Sequence, residues 1–500
     1  MLIDARALPQ QHVIDTDVCI IGGGAAGVTL ARSLAPRTIS ICLLESGGFG
    51  LDPQTQSLYQ GMSEGTLIGT SRGYLSRSRL RYFGGSTNHW TGFCRPLDDD
   101  DFETRAWIPH SGWPFGAAEL ARFYVEAARE LRIEPFAGEA ERDSGTASGI
   151  FPEASAVITR RYHMSSVRFG RQYREVLPRE PNVTVVIYAN ATAIEATENG
   201  SRVIAVRVAT LTGKRFAVRA RCYVLAAGGV ENARLLLVSD GVQKAGLGNG
   251  RDLVGRFFMD HVEGGVGFLV LTDRLDAIGS YAIRDGRMSA LCLSAATRRA
   301  HELLNASVGL DFRTTLMESG AGGTPLAIGD TLARIDRVRE AKTDEAPQAR
   351  YARCIIHGEP SPDPESRVTL DHEVDALGLR RAKLDWKLAA RDGESMWRTL
   401  ELVSRELGKR RLGRGLVMLD AKDPWQPPLH EANHHIGTTR MGTDAATSVV
   451  NADGQVHGIA NLYVAGSSVF PTAGCANPTL TIVALALKLG EHLPTALARA

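Results

Sequence analysis

The sequence lacks an excess of either charge: 57 Lys and Arg face 56 Asp and Glu, a formal net charge of +1. No global field recruits nucleic acid or an anionic membrane surface, so binding must rest on local sites. A paired cysteine framework is also missing. The 7 cysteines are odd in number and scattered, several of them (Cys19, Cys42, Cys222) inside apolar runs, which reads as reduced thiols and suits a cytoplasmic location. The first eleven residues hold Asp4 and Arg6 and no continuous apolar core, so they do not read as a secretory signal. Near the C-terminus the longest apolar run, 482–487, is closed by Lys488, far short of the roughly 18–20 residues of a membrane span. Internal repeats are absent too. What remains is 500 residues, 44% hydrophobic, with 52 glycines. That is chain enough for a large core, with a soft prior of about three domains at ~150 residues each.

The chemistry begins at residues 17–21, a short apolar run that leads into Gly22-Gly23-Gly24-Ala25-Ala26-Gly27. The spacing is G-x-G-x-x-G, and its context is complete: a strand before it, then Val28, Leu30, Ala31 and Leu34 at helical intervals. Gly22 permits the tight turn, Gly24 lets a pyrophosphate approach backbone N–H groups, and Gly27 lets helix and strand pack closely. The helix N-terminus adds partial positive charge. A second apolar strand, 39–44, ends in Glu45 and Ser46, roughly 20 residues on, where a carboxylate can accept hydrogen bonds from an adenosine ribose. This fingerprint alone does not separate FAD from NAD. A second one, needed by an NAD(P)H-dependent flavoprotein reductase, is missing: 246–250 has glycines but no strand before or helix after.

Further along, the pattern predicts an amphipathic helix over 117–131, strands over 183–188 and 203–208, and a buried strand over 223–229 followed by a helix over 231–238. Short alternating runs between 264 and 312 read as antiparallel strands. A glycine-rich loop at 318–325, a candidate lid, precedes a charged helix at 331–345. Strands at 368–370 and 382–386 flank a turn at 371–378, and the last 70 residues give a strand at 462–464, a glycine-rich loop and a helix over 480–489. Parallel-sheet patterns thus enclose antiparallel ones, which argues for one discontinuous nucleotide-binding domain threaded with a second domain.

Three more segments sharpen this. Residues 223–237 centre on Ala226-Ala227-Gly228-Gly229; residues 359–370 read Glu359-x-x-Pro-x-Pro-x-Ser-Arg-Val-Thr-Leu; and His434-His435-Ile436-Gly437-Thr438 is followed by Ala476-Asn477-Pro478-Thr479. With the fingerprint, and in the same order, they resemble the glucose-methanol-choline (GMC) flavoprotein oxidoreductases over nearly the whole chain. The resemblance implies FAD and an α/β (α+β overall) fold. A glutathione-reductase-type Rossmann FAD-binding domain (10–85, 180–262 and 428–500) would be interleaved with a substrate domain on a mostly antiparallel sheet (86–179 and 263–427). It places cofactor contacts at Gly22, Gly24, Ala25, Ala26, Gly27, Glu45, Ser46, Ala227, Gly228, Gly466, Asn477, Pro478 and Thr479.

The same resemblance implies that His434 and Asn477 are the catalytic pair. A histidine near its ordinary pKa of ~6.5 can take an alcohol proton at neutral pH, and an amide donor can hold the developing alkoxide. In an extended segment His435 points the other way and reads as structural. Two adjacent histidines with no cysteine or carboxylate at ligand spacing make a poor metal site, so no metal is expected. Where some relatives have a second histidine this chain has Asn477, as in the pyranose oxidase and choline oxidase branches, leaving one base.

Residues 84–91 are similar to the pyranose oxidase segment in which a histidine is bonded to the flavin 8α-methyl. The matching residue is His89, with Gly85, Asn88, Trp90 and Thr91 around the cofactor and Thr91 near flavin N5. The plainer alternative is that His89 packs on the ring or pairs with phosphate. The branch implies a secondary hydroxyl, C3 or C2, of a sugar or glycoside as substrate; the sequence does not select among oxygen, a quinone and a protein as electron acceptor. A primary aromatic or aliphatic alcohol dehydrogenase of the same family would share every residue named, and a non-oxidative lyase-type relative would keep the FAD.

Overall fold

The computed structural model describes residues 1–136, 151, 155–272, 281–313, 351–420, 424–425 and 429–499. Its first sheet grows from strands with no polar face. Ile41–Leu44 is buried at every position, as are the last four residues of Val13–Ile21, the pattern of strands covered on both sides. These two pair in parallel; Val183–Ile187 and then Leu2–Asp4 extend the sheet on one side, and Arg215–Leu225 and Leu462–Val464 on the other. One row of the ladder runs Val464, Leu225, Ile21, Leu44, Val186. The loops after four of these strands therefore leave the sheet at one level, and they carry Gly22, Glu45, Ala227 and Gly466. Ligands of parallel α/β sheets bind at this carboxyl edge. On its other edge the first half of Arg215–Leu225 pairs with Val203–Ala209, and that strand with Asn190–Ala196, both antiparallel.

Helix Ala25–Leu34 packs on the C-terminal helix Thr479–Arg499, which also carries Ala121–Glu130. Thr479–Arg499 runs well past the end expected near 489. Gly490 does not stop it, because its role is contact: a Cβ there would lie 2.0 Å from Ser33 Oγ. By length and composition this helix could cross a membrane, contrary to the expectation from run length, but most of its apolar window is buried inside the fold.

The second sheet is antiparallel: Gly413–Val417, Val262–Leu271, Tyr351–Gly358, Ala306–Arg313, Arg287–Leu293, Val157–Met164 and Phe93–Cys94 in spatial order, with His430–Glu431 beside Val262–Leu271. A helix the sequence reading did not include, Ala390–Lys409, covers it with Met396, Leu400, Val403 and Leu407 buried. A third, small sheet joins Met62–Gly65 to Arg380–Trp386 and Arg367–Val374. Separate apolar cores form around the first and second sheets. This is the mixed α/β architecture expected.

Local differences have local causes. The helix expected over 117–131 opens as a 3-10 turn, Ala117–Leu120, before Ala121–Glu130. The strand expected over 223–229 is the tail of Arg215–Leu225, and 226–229 is already loop. Helix Glu231–Val238 lies where expected. All 7 cysteines are free and buried. The candidate lid at 318–325 and the helix at 331–345 lie outside the described residues.

Candidate active site

The fingerprint loop is shaped by what its glycines cannot tolerate. Gly22 has φ +115°, and a Cβ there would lie 2.5 Å from Ala226 O; a Cβ on Gly27 would lie 1.9 Å from Gly22 O. At Gly24 and Gly228, by contrast, a Cβ would meet nothing within 4 Å among the described residues. The missing side chains leave a hollow. Helix Ala25–Leu34 opens onto it with no side-chain cap, so the N–H groups of Ala25 and Ala26 are free for an anion. Glu45 is 5% exposed. Its Oε2 accepts from Gly23 N and its Oε1 from Gly47 N, both at 2.9 Å, so beyond the expected ribose contact it braces the loop itself. Burial pushes this carboxyl up, against those N–H groups and Arg81. Ser46 is the half-buried residue beside it.

Residues 84–91 lie on this loop. Gly84 N donates to Gly23 O at 2.7 Å, and Gly85 packs against the Gly24 Cα. Asn88 is engaged on both ends, Oδ1 with Gly170 N and Nδ2 with Phe83 O, each 2.9 Å, and Trp90 Nε1 donates to Val167 O at 2.9 Å. These side chains hold the segment in place. His89 Nε2 faces Tyr82 Oη at 2.7 Å, while Nδ1 is buried without a partner among the described residues; burial, then Arg168, lowers its pKa. Thr91 is half-buried next in the chain. Across the hollow, Ala227 N is fixed by Asn232 Oδ1 at 2.8 Å, Gly466 follows Leu462–Val464, and Pro478 O accepts the N–H of Ile482 in the first turn of Thr479–Arg499. Open space at Gly24 and Gly228 before the uncapped start of helix Ala25–Leu34 fits a flavin dinucleotide.

Beside this cradle a second structure is assembled from distant segments. Met259 and Ile436 exchange backbone hydrogen bonds at 3.0 and 2.9 Å, and Ala432 N donates to His261 O at 3.1 Å. Between these two pairings the single residue Asp260 faces three, Asn433 to His435; this bulge brings the His434 side chain to His261 and turns His435 away. His434 Nδ1 meets His261 Nδ1 at 3.1 Å, and its Nε2 meets Asn477 Nδ2 at 3.4 Å. The two expected catalytic residues are thus side by side. His435 turns away, its Nε2 3.1 Å from Tyr74 Oη. Tyr74 Oη donates to Asp260 Oδ2 at 2.7 Å, and Asp260 also takes the backbone N–H groups of His434 (2.6 Å) and Asn433 (3.0 Å).

The electrostatics follow from burial. His434 is held down to about 3, first by burial and then by His357, against Glu263; His435 falls to about 3 by burial and Arg79. The sequence-based value near 6.5 is therefore corrected: His434 is a neutral imidazole throughout the physiological range. Burial lifts Asp260 to about 7 despite its three donors. Across the strands, His357 Nδ1 contacts Glu263 Oε2 at 3.2 Å, and its ring stacks on His261 with centroids 4.4 Å apart. Burial opposes ionisation of Glu263, but His357 outweighs it and draws the carboxyl down to about 2.

A model of FAD dependent oxidoreductases matches residues 17–244, which take in the cradle, and a GMC oxidoreductase model matches residues 362–486, which take in His434 and Asn477. The chain joins an FAD oxidoreductase domain to a GMC oxidoreductase C-terminal domain. It is an FAD-dependent oxidoreductase acting on CH–OH groups. It is 24% identical to the 2-methyl-1,2-propanediol dehydrogenase of Mycolicibacterium austroafricanum, over 96% of this chain and 95% of the relative. It is 25% identical to the C-glycoside 3-oxidase of Microbacterium trichothecenolyticum, over 98% of each. The crystal structure of pyridoxine 4-oxidase from Mesorbium loti shares the fold with a TM-score of 0.61 at 18% identity, over 96% of this chain and 99% of that one.

Asp260, His261, Glu263, His357 and Tyr74 have no role in the sequence reading. Their signal is charge or imidazole where the pattern asks for apolar residues: Asp260 and His261 are both 0% exposed, and such groups are rarely buried unless they have work to do. A surface hollow of about 400 Å³ lined by Ser201, Arg202, Asn451 and His457 among others includes none of the site residues.

Proposed function

We propose that this oxidoreductase converts a secondary hydroxyl, at ring C3 or C2 of a sugar or glycoside, to the ketone. The observation that carries the chemistry is the neutral His434 beside Asn477, 3.4 Å apart, next to the glycine cradle. Oxidising R₂CH–OH to R₂C=O releases one proton and one hydride. His434 Nε2 takes the proton as the hydride leaves; its buried ring carries none there beforehand. The Asn477 amide N–H steadies the substrate oxygen as the proton leaves, without itself titrating. Bound FAD supplies the acceptor for the hydride. The C-glycoside 3-oxidase relative supports the sugar ring as substrate.

The 2-methyl-1,2-propanediol dehydrogenase relative favours a second reading, a small non-sugar alcohol. One panel separates them. Under anaerobic conditions the holoenzyme is mixed with glucose, an O-glucoside, a C-glucoside, 2-methyl-1,2-propanediol or benzyl alcohol, and flavin absorbance is followed. Bleaching fastest with a glucoside supports the proposal, bleaching only with the diol or benzyl alcohol supports the second reading, and lasting yellow colour with all five opposes alcohol oxidation.

His89 is proposed as a covalent flavin attachment. Its partnerless Nδ1 and the Gly84–Gly23 hydrogen bond that lays its segment on the cradle support this. After acid denaturation the yellow colour should stay with the precipitate; colour wholly in the supernatant contradicts it.

A further inference from the structure

The imidazoles beside Asn477 leave little freedom in where their protons sit. A backbone carbonyl only accepts, so the 2.9 Å contact between Gly474 O and His261 Nε2 requires a hydrogen on that nitrogen. A neutral imidazole carries one N–H, which makes His261 Nδ1 a lone pair. That lone pair faces His434 Nδ1 at 3.1 Å, and only a hydrogen on His434 Nδ1 makes the contact favourable. The lone pair of His434 is then on Nε2, the nitrogen turned to Asn477. Burial keeps both rings neutral, with His434 near 3 and His261 well below its ordinary value.

We infer that His261 is a positioning residue that locks His434 in the Nδ1–H tautomer and so presents the Nε2 lone pair to the substrate. This rests on the reading of His434 as the base. The lock is anchored from behind. Glu359 Oε1 accepts the Gly474 N–H at 3.1 Å, and Arg105 holds Glu359 through two contacts of 2.7 and 2.9 Å. Gly474 has φ +58°, and a Cβ there would lie 2.5 Å from Asp101 Oδ2. Gly474 is thus pinned through both its N–H and its carbonyl oxygen. The same chain is a dead end for protons. Gly474 O has none to exchange, so a proton taken at His434 Nε2 leaves on the substrate side. A metal held by His261, His357 and His434, whose nearest nitrogens lie within 4.8 Å of one another, would have to displace the hydrogen bond that already joins two of them.

The tautomer can be read directly by two-bond ¹H–¹⁵N correlation NMR on holoenzyme labelled at the histidine ring nitrogens, with His434 assigned by the signals lost in His434→Gln. Wild type should show His434 protonated at Nδ1. His261→Leu should shift it toward the Nε2–H form, whereas His261→Asn, whose Oδ1 takes the place of the Nδ1 acceptor, should keep it. An Nε2–H signal for His434 in wild type, or an unchanged tautomer in His261→Leu, overturns the inference, and the wild-type spectrum decides even if the leucine variant fails to fold. With the alcohol of the panel that bleaches flavin fastest, His261→Leu should slow flavin reduction at least ~10-fold with KM unchanged, and His261→Asn should recover most of the rate. A locked tautomer combined with wild-type flavin reduction in His434→Ala would remove the base reading and leave the lock standing.

Discussion

The glycine cradle and the imidazole cluster serve one site but are built in opposite ways. The cradle is local: its parts follow parallel strands within a residue or two, and one row of the ladder brings Gly22, Glu45, Ala227 and Gly466 to the same edge. The cluster is long-range. His261, His357, His434 and Gly474 come from separate segments and meet only because Met259 pairs with Ile436, Glu263 with His357, and Glu359 with Gly474. The first depends on absent side chains and the second on buried polar ones. Damage to the cradle should therefore abolish cofactor binding, while damage to the cluster should leave the cofactor bound and slow the chemistry.

The largest effect is expected at Gly27→Val. A Cβ 1.9 Å from Gly22 O cannot be accommodated without opening the loop, so the purified protein should be colourless; stoichiometric flavin in this variant would break the account of the cradle. Next comes Glu359→Gln, which leaves Arg105 buried with half its partner. The cost should be about 3–5 kcal/mol in urea unfolding, and a loss below ~1 kcal/mol would mean that the anchor of Gly474 is not held as described.

How much of this was legible follows the same division. The fingerprint, Glu45 and helix Glu231–Val238 could be read because each sits in a contiguous pattern with a fixed physical job, whereas His434 and Asn477 were singled out by the resemblance, and the fold sets them 3.4 Å apart. Helix Ala390–Lys409 could not, because Asp392-Gly393 near its start has the look of a turn. In the fold Asp392 caps the helix through Ala389 N at 2.8 Å, and Gly393 is there because Pro424 lies 2.2 Å from where a Cβ would be. His261 and His357 were hidden for a similar reason. Their partners are hundreds of residues away or across a strand, and no spacing rule links them. The pKa of His434 was misjudged because burial, its main cause, is a property of the assembled fold.

Asn477→Ala should keep FAD and slow flavin reduction about tenfold, the worth of one neutral hydrogen bond; an unchanged rate would remove the residue from the cluster. The smallest effect is on stability against pH. His434 and His435 titrate near 3 in the folded protein against 6.5 when unfolded, so the unfolded chain binds more protons between those values and stability falls as pH drops from about 6.5 toward 3. Asp260 works the other way: raised to about 7, it contributes stability at low pH that is lost as pH rises through 7. Tm measured from pH 4 to 7 should therefore fall less steeply toward acid in His435→Gln than in wild type, and an equal slope would show that this imidazole is not buried neutral.

The most direct test of the site's chemistry is anaerobic stopped-flow reduction of the bound flavin in His434→Ala, using the alcohol that reduces wild type fastest. With FAD content unchanged, reduction should be at least ~100-fold slower, the scale of a lost general base; a loss of less than tenfold would contradict the assignment of His434 as the group that takes the proton.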